Sequence, residues 1–450
     1  MAKSTDVRIL EVATQQELIK YRSPIKFGGR VVVDAIIYNV HLDVETRDGR
    51  RGRGMGSMPM GNVWAWPTSQ LTTEQTLSAM IEFAGKLEKA VREYQGCGHP
   101  LDITHDWTPI YRAIAAEVVN DMKLAEPMPV LAQLVAASPF EAAVHDAQGK
   151  TLGKNCYNLL GPEFVEHDLA EWLTPEFQGE YLDKYTLREP KPFMPLYHLV
   201  GALDPLTDDD VPMKLNDGLP ETLGEWIVFD GLTHLKIKLN GDDLKWDVER
   251  VVAVNRVAEE TQARMGVETW HYSLDFNEKC QNVEYLLEFL KLVQERAPTA
   301  LKRVQYIEQP THRDLAAHPE NKMHRAAAIK PVVIDESLID LESLQLAREQ
   351  GYSGVALKAC KGHTEALLMG AAAQKYGMFL CVQDLSCPGY SFLHSASIAA
   401  RIPTIAAIEG NSRQYCPAGN KIWGEMYPPM FHISDGTVGT AVLNGPGLGF

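Results

Sequence analysis

From about Pro190 onward, short apolar runs alternate with longer stretches whose apolar residues recur at helical spacing. Short continuous apolar runs suit buried parallel strands, because helices cover both faces of such a sheet. Eight strand ends fall near Leu199, Lys238, Asp275, Glu308, Asp335, Lys358, Gln383 and Glu409. Residues 243–264, 283–297, 341–350, 365–376 and 390–400 between them read as helices. Strand–helix alternation predicts an α/β fold, and eight such units make a (β/α)8 barrel whose C-terminal strand ends converge on one mouth.

The first ~150 residues follow a different pattern. Residues 31–44 (VVVDAIIYNVHLDV) are rich in β-formers and run into a turn at Asp48-Gly49-Arg50, as a strand with a hairpin-like return. Residues 51–60 (RGRGMGSMPM) are rich in Gly and Met and read as a flexible loop. Helices follow over 74–94, 111–121 and 129–149, the last with a face of Leu131, Leu134, Val135, Phe140, Ala143 and Val144. Strands followed by helices make an α+β module. The tail, 422–450, contains Pro428-Pro429, Asp435-Gly436 and Gly445-Pro446-Gly447, and reads as extended and turn-rich. The expected organisation is an N-terminal module of residues 1–150, completed by the tail, and a barrel over 190–421.

Composition narrows the partners. The formal net charge of −16 weighs against nucleic acid or an anionic membrane as a partner. An anionic small molecule stays possible, because lysines and a metal can dominate the field inside a pocket. The seven cysteines are odd in number and have no zinc-finger spacing, so reduced thiols in a cytoplasmic protein are expected. The first 21 residues are mixed polar and carry no visible secretory signal, and no run approaches the ~20 apolar residues of a membrane span.

The strand ends carry the chemistry. They read His234-Leu235-Lys236-Ile237-Lys238, Ser273-Leu274-Asp275-Phe276-Asn277, Tyr306-Ile307-Glu308-Gln309-Pro310, Val333-Ile334-Asp335-Glu336-Ser337 and Val355-Ala356-Leu357-Lys358. Three acids from separate strands suit a hard cation such as Mg²⁺, which prefers oxygen ligands. Glu336, beside Asp335, is placed to orient it. Lys236 and Lys238 share a strand face. A lysine acting as base needs a lowered pKa, which a nearby ammonium or dication promotes. The same lysines and acids can instead pair as a structural network at the rim. His363 reads as structural, and Cys360 and Cys387 as unreactive small residues.

In this order the motifs resemble those of the enolase superfamily, in its muconate-lactonizing-like branch (the mandelate racemase/muconate lactonizing enzyme family). Residues 138–161 (SPFEAAVHDAQGKTLGKNCYNLLG) resemble its cap-to-barrel segment, and Gly445-Pro446-Gly447-Leu448-Gly449 its C-terminal end. The resemblance implies a modified TIM barrel, (β/α)7β, with an α+β capping domain. It implies one Mg²⁺ held by Asp275, Glu308 and Asp335. It makes Lys238 the base or acid, Lys236 a charge-tuning residue that contacts the carboxylate, and Lys358 the group on the other side of the α-carbon. Asn277, Glu336, Asp384, Glu409 and Lys26 are candidates to support the ligands or touch substrate. In several members a protonated glutamate at the position of Glu409 donates to the enolate oxygen. A branch with a histidine base after the seventh strand does not match, since Gln383-Asp384 stands there. Residues 21–29 and 55–66 resemble two loops that close over the substrate.

The implied activity is Mg²⁺-dependent abstraction of a proton α to a carboxylate through an enolate. Racemisation or epimerisation of a small carboxylic acid is favoured. Dehydration (a lyase) or cycloisomerisation uses the same groups. Outside the family stand a metal-free Schiff-base aldolase and a non-catalytic, acid-binding capped barrel. A homo-oligomer is expected, with neither nucleic acid nor membrane as partner.

Overall fold

The computed structural model describes residues 2–27 and 30–450; Gly28 and Gly29, in the stretch 21–29 expected as a closing loop, lie outside the described residues. Two units stack: an antiparallel three-stranded sheet with four helices, and a closed barrel of eight parallel strands.

The cap begins with β1 (Val7–Phe27), β2 (Arg30–Thr46) and β3 (Arg51–Pro59), paired in that order. The stretch expected as a flexible loop, 51–60, is therefore a strand over most of its length. The reason lies in its glycines. They alternate at Gly52, Gly54 and Gly56, and an added Cβ would meet Thr151, then Ala143 and Ala147, then Pro139 at 2.3, 2.2 and 1.9 Å. Those residues recur every fourth position along a helix, so β3 offers a bare face onto which a helix backbone packs directly.

That helix is α4. It follows α1 (Asn62–Ala65), α2 (Thr73–Glu93) and α3 (Pro100–Asp121), and spans Val130–Leu152. Thr72 caps α2 through a reciprocal bond with Gln75. Helix α3 starts at Pro100, well before the expected 111, because Pro at the first turn and the His99 side chain cap it there. Helix α4 is buried on nearly every side, not along one face, because it is sandwiched between the cap sheet and the barrel. Asp146 on α4 accepts the backbone N–H of Met55 (2.8 Å) and of Leu448 (3.0 Å), tying β3 and the chain's end to one carboxylate.

The barrel strands are β4 (Met194–Val200), β5 (His234–Lys238), β6 (His271–Asp275), β7 (Val304–Glu308), β8 (Val332–Ile334), β9 (Gly354–Leu357), β10 (Phe379–Val382) and β11 (Ile408–Glu409). Neighbours pair in parallel, and β11 closes on β4 through Ile408–Leu196 and Glu409–Tyr197. The family-implied modified TIM barrel with a cap is the fold observed. All eight expected strand ends lie at or within one residue of an observed one. Helices Leu244–Met265, Val283–Arg296, Leu341–Glu349, His363–Lys375 and Tyr390–Arg401 occupy the expected intervals. Helix Leu223–Asp230 adds a unit between β4 and β5.

The tail is less extended than expected. It forms short helices at Lys421–Met426 and Pro428–Phe431, then β12 (Thr437–Val438), antiparallel to β4. It thus touches barrel and cap alike. Among the described residues, no helix is long and apolar enough to cross a membrane.

Candidate active site

Register brings the polar strand ends to one level. Lys238 pairs with Asp275 across β5 and β6, and Asp275 with Glu308 across β6 and β7. Asp335 and Lys358 immediately follow β8 and β9. The backbone bends sharply just beyond two of these ends: Asn277 (φ 42°) and Gln309 (φ 30°) are left-handed, an arrangement that costs energy and clusters at functional sites. Gln309 holds its bend. Its Oε1 accepts the N–H of Asp335 (2.9 Å) and Ser337 (3.1 Å), and its Nε2 donates to Ser337 Oγ (2.8 Å).

Lys236 is the hub. Its Nζ donates to Glu308 Oε1 (2.9 Å), Gln383 Oε1 (2.7 Å) and Glu409 Oε2 (2.9 Å), and lies 3.0 Å from Asp275 Oδ2. Burial works against its charge, but Asp275, Glu308 and Glu409 outweigh burial and raise its pKa well above the usual value. Lys238 donates to Asp275 Oδ2 (2.5 Å) and Asn277 Oδ1 (2.6 Å). Lys358 Nζ stands 2.8 Å from Asp335 Oδ2, and its pKa, lowered by burial, is raised further by that carboxylate. The expected depression of lysine pKa is thus absent for Lys236 and Lys358 among the protein groups alone, because each faces an anion.

The acids divide. Burial opposes ionisation of Asp275, yet Lys236 and Lys238 pull its pKa well below the usual range. Asp335 is likewise buried, but Lys358 and Lys361 hold it down at about 2. Glu308 goes the other way: burial and the Asp275 charge push it well up. Burial and Asp335 lift Glu336 to about 7, and burial and Glu409 lift Asp384 to about 6. Six carboxyl groups (Asp275, Glu308, Asp335, Glu336, Asp384, Glu409) here face four ammonium groups (Lys236, Lys238, Lys358, Lys361), so carboxyl groups outnumber the lysines.

Among the described residues, no three His, Cys, Asp or Glu side chains stand close enough to hold a metal ion as they are arranged. Asp275, Glu308 and Asp335 are each drawn to a lysine instead. Their chemistry fits a hard dication all the same. Glu308 Oε2 and both Asp335 carboxylate oxygens are buried and accept no hydrogen bond. Lys236 Nζ stands 2.9 Å from Glu308 Oε2, and Lys358 and Lys361 Nζ near the Asp335 oxygens at 2.8 and 3.1 Å, but all are off the hydrogen-bond direction. Buried oxygens without a hydrogen bond and a surplus of carboxyl groups are what a divalent cation would satisfy.

Other candidates separate by role. Asn277 Nδ2 donates to Glu336 Oε1 (3.1 Å), linking the two loops. Asp384 accepts backbone N–H groups of Leu385, Cys387 and Asn411 and shapes the loop after β10. Lys26 lines a cavity of about 160 Å³ with Lys238 and Asn277. His363 lies away from the mouth, its Nδ1 2.9 Å from His394 Nε2 in a fully buried histidine group. Cys360 and Cys387 are buried with raised pKa values, that of Cys360 at about 12, as unreactive thiols are.

Three residues were not singled out by pattern reasoning. Lys361 sits on the turn after β9, out of strand periodicity, so no period-2 signal reveals it. Gln383 directly follows β10 but is neutral. Trp64 belongs to the cap: its ring lies over Lys358 Nζ at 4.1 Å, and its Nε1 donates to Glu336 Oε1 at 2.9 Å. Phe27 stands similarly over Lys238, at 5.6 Å. Both aromatics also line a cavity of about 330 Å³ between the hairpin and α1, with Val33, Ile36, Met60 and Leu385.

Residues 219–450 match the family described as enolase C-terminal domain-like. The chain belongs to the enolase superfamily, in its mandelate racemase/muconate lactonizing branch. Muconate lactonizing enzyme from Pseudomonas fluorescens, complexed with muconolactone, superposes on this enolase-superfamily chain with a TM-score of 0.58 at 18% identity, covering 98% of this chain and 96% of that one. The L-Ala-D/L-Glu epimerase from Bacillus subtilis gives 0.62 at 16% identity, covering 98% of each chain. An enolase from Bradyrhizobium complexed with magnesium and mandelic acid gives 0.63 at 16% identity, covering 99% and 96%. No curated protein sequence matches the chain.

Proposed function

We propose that this protein is an enzyme that removes a proton α to a carboxylate and returns one, as a racemase or epimerase of a small carboxylic acid. The observation that carries the reading is the position of the two lysines. Lys238 ends β5 and Lys358 follows β9, four strands apart in a closed ring of eight, with the three acid-bearing strands between them. A substrate α-carbon at the mouth would have one lysine on either side.

Asp275, Glu308 and Asp335 would hold one Mg²⁺. When bound, the cation supplies positive charge that makes the substrate's α-proton acidic and stabilises the enolate. The remaining work falls to this chain's own residues. Lys236 contributes fixed positive charge for the substrate carboxylate. Lys238 or Lys358 takes the proton, and the opposite ammonium delivers another to the far face. Gln383, Glu409 and Asn277 keep the lysines oriented. The cap covers the mouth and limits water, and the cavity beneath it has a lining of mixed polarity. The superposing Bradyrhizobium enolase, complexed with magnesium and mandelic acid, supports the same class of site. Elimination and cycloisomerisation differ in needing only one base. A Schiff-base aldolase at Lys238 or Lys358 would leave the three aligned acids Asp275, Glu308 and Asp335 without a role.

A screen of carboxylic acids in heavy water with Mg²⁺ tests the reading. The expected result is α-deuterium incorporation into both enantiomers of one acid. Incorporation that proceeds equally in EDTA, or none from any acid, would overturn it.

A further inference from the structure

We propose that Trp64, a cap residue, is the positioning residue that holds the Lys358 ammonium in place at the barrel mouth; the catalytic half of this inference rests on the proton-transfer reading above. Lys358 carries a flexible stem of four methylenes and makes one close charge contact, with Asp335 at 2.8 Å. A single charge contact leaves the ammonium free to swing about it. The indole face removes that freedom. It lies 4.1 Å from Lys358 Nζ and 5.8 Å from Lys361 Nζ, so one ring covers both cations on this side. A desolvated cation over tryptophan is the stronger form of this attraction.

The ring is itself fixed. Trp64 is only 4% exposed, and its Nε1–H bond to Glu336 sets the plane of the indole. Its carbonyl accepts from Arg313 Nη2 at 3.0 Å, and Arg313 is paired in turn with Glu278. Asn62, two residues earlier, donates to Thr73 O and Thr76 Oγ1 on α2, each at 2.9 Å. The α1 turn is therefore clamped to α2 on one side and to the barrel on the other, and Trp64 transmits that clamp to Lys358. Lys238 has a weaker counterpart, Phe27 at 5.6 Å, but it also bonds Asp275 and Asn277. The two faces of the mouth are thus held by different means: Lys238 by two oxygen acceptors, Lys358 by one carboxylate and an aromatic wall from the cap.

The test compares Trp64→Leu, which removes the ring, with Trp64→Phe, which keeps a ring without the N–H. The first readout needs no substrate: trace acetylation of the whole protein with isotopic acetic anhydride, read at Lys358 and Lys238 by mass spectrometry. In Trp64→Leu the labelling of Lys358 relative to Lys238 rises about tenfold, whereas Trp64→Phe stays within about threefold of the parent. Trp64→Met takes the place of the leucine variant if that one does not fold. An unchanged ratio, or an equal rise at both lysines, overturns the proposal, since the first means no hold and the second a general loosening of the cap. The second readout is α-proton exchange: Trp64→Leu loses about tenfold from one enantiomer only, and Trp64→Phe restores most of it. Equal loss from both enantiomers overturns the catalytic half. If the parent protein exchanges no acid, the proton-transfer reading falls, and the labelling ratio alone decides whether Trp64 holds Lys358.

Discussion

Lys236 Nζ donates to Glu409 Oε2 at 2.9 Å and to Glu308 Oε1 at 2.9 Å, so one ammonium bridges the last barrel strand and the fourth across the mouth. All three groups are buried. Removing the cation leaves carboxylates facing one another with no counter-charge. Lys236→Met should therefore destabilise the metal-free protein by about 3–5 kcal/mol, the usual range for breaking a buried pair from one side. Urea unfolding in EDTA measures it. A loss below ~1 kcal/mol, the scale of an exposed pair, would show that the hub is not electrostatically important.

Magnesium should act on stability independently of any substrate. The buried, unbonded oxygens of Glu308 and Asp335 and the surplus of acids predict that Mg²⁺ raises the melting temperature. A ligand at a hundred times its Kd contributes about 2.7 kcal/mol. Glu308→Gln should abolish the shift while folding normally in EDTA. A shift of equal size in both proteins would place the ion elsewhere.

Much of this site was legible from the chain because parallel barrel strands announce themselves. Each is a short apolar run, and the residue that ends it stands at the mouth, so Lys238, Asp275, Glu308, Asp335 and Lys358 could be ordered before any coordinates. The cap was harder. β3 carries few apolar residues, and its alternating glycines look like a flexible loop until the helix that needs them is known. Trp64 and Lys361 were hidden for another reason: their partners lie far away in sequence, and no local period connects Trp64 with Lys358. Roles that depend on which opposite charge wins, such as the raised pKa of Lys358, also need three-dimensional distances.

The glycine face of β3 gives a direct test of the cap's packing. An added Cβ at Gly54 would lie 2.2 Å from the backbone nitrogen of Ala147, which no side-chain rotation relieves. Gly54→Ala should cost at least the ~1–3 kcal/mol of an overpacked core. Gly85, on α2, has nothing within 4 Å of its would-be Cβ, so Gly85→Ala should be neutral or stabilising. Equal melting temperatures for the two variants would contradict the direct strand–helix contact.

The buried histidines predict the pH dependence of stability. Burial lowers the pKa of His394 from 6.5 to about 3. Between those values the unfolded chain binds a proton that the folded chain does not, so stability is lost as pH falls through this window. His394→Gln should flatten the acid limb by up to about 1.4 kcal/mol per pH unit. Glu141 has the opposite sign. Burial lifts it from 4.5 to about 8, so the folded state keeps a proton that the unfolded state has released, and stability falls as pH rises through that interval. Glu141→Gln should remove this slope. Urea midpoints from pH 4 to 8 for both variants check the two signs, and parallel curves for parent and variants would refute them.

The sharpest prediction concerns Lys238 and Lys358 as a pair. General acid–base help of this kind is worth roughly 10²–10⁴-fold, and more when the base is indispensable, so Lys238→Ala and Lys358→Ala should each abolish turnover. Exchange is more discriminating than turnover. With one lysine gone, the other can still remove and return the proton on its own face, so each variant should wash deuterium into one enantiomer only, and the two variants into opposite ones. The site's charges make this a fair comparison, because Asp275 keeps Lys236 when Lys238 is lost, and Asp335 keeps Lys361 when Lys358 is lost. Neither truncation strands a carboxylate without a cation nearby, so a loss of activity is not a loss of folding, and circular dichroism verifies that point. If both variants lose exchange for both enantiomers, a single base serves the reaction and elimination or cycloisomerisation replaces racemisation. If both retain full turnover, the lysines are structural partners of the acids and the chemistry lies elsewhere in the barrel.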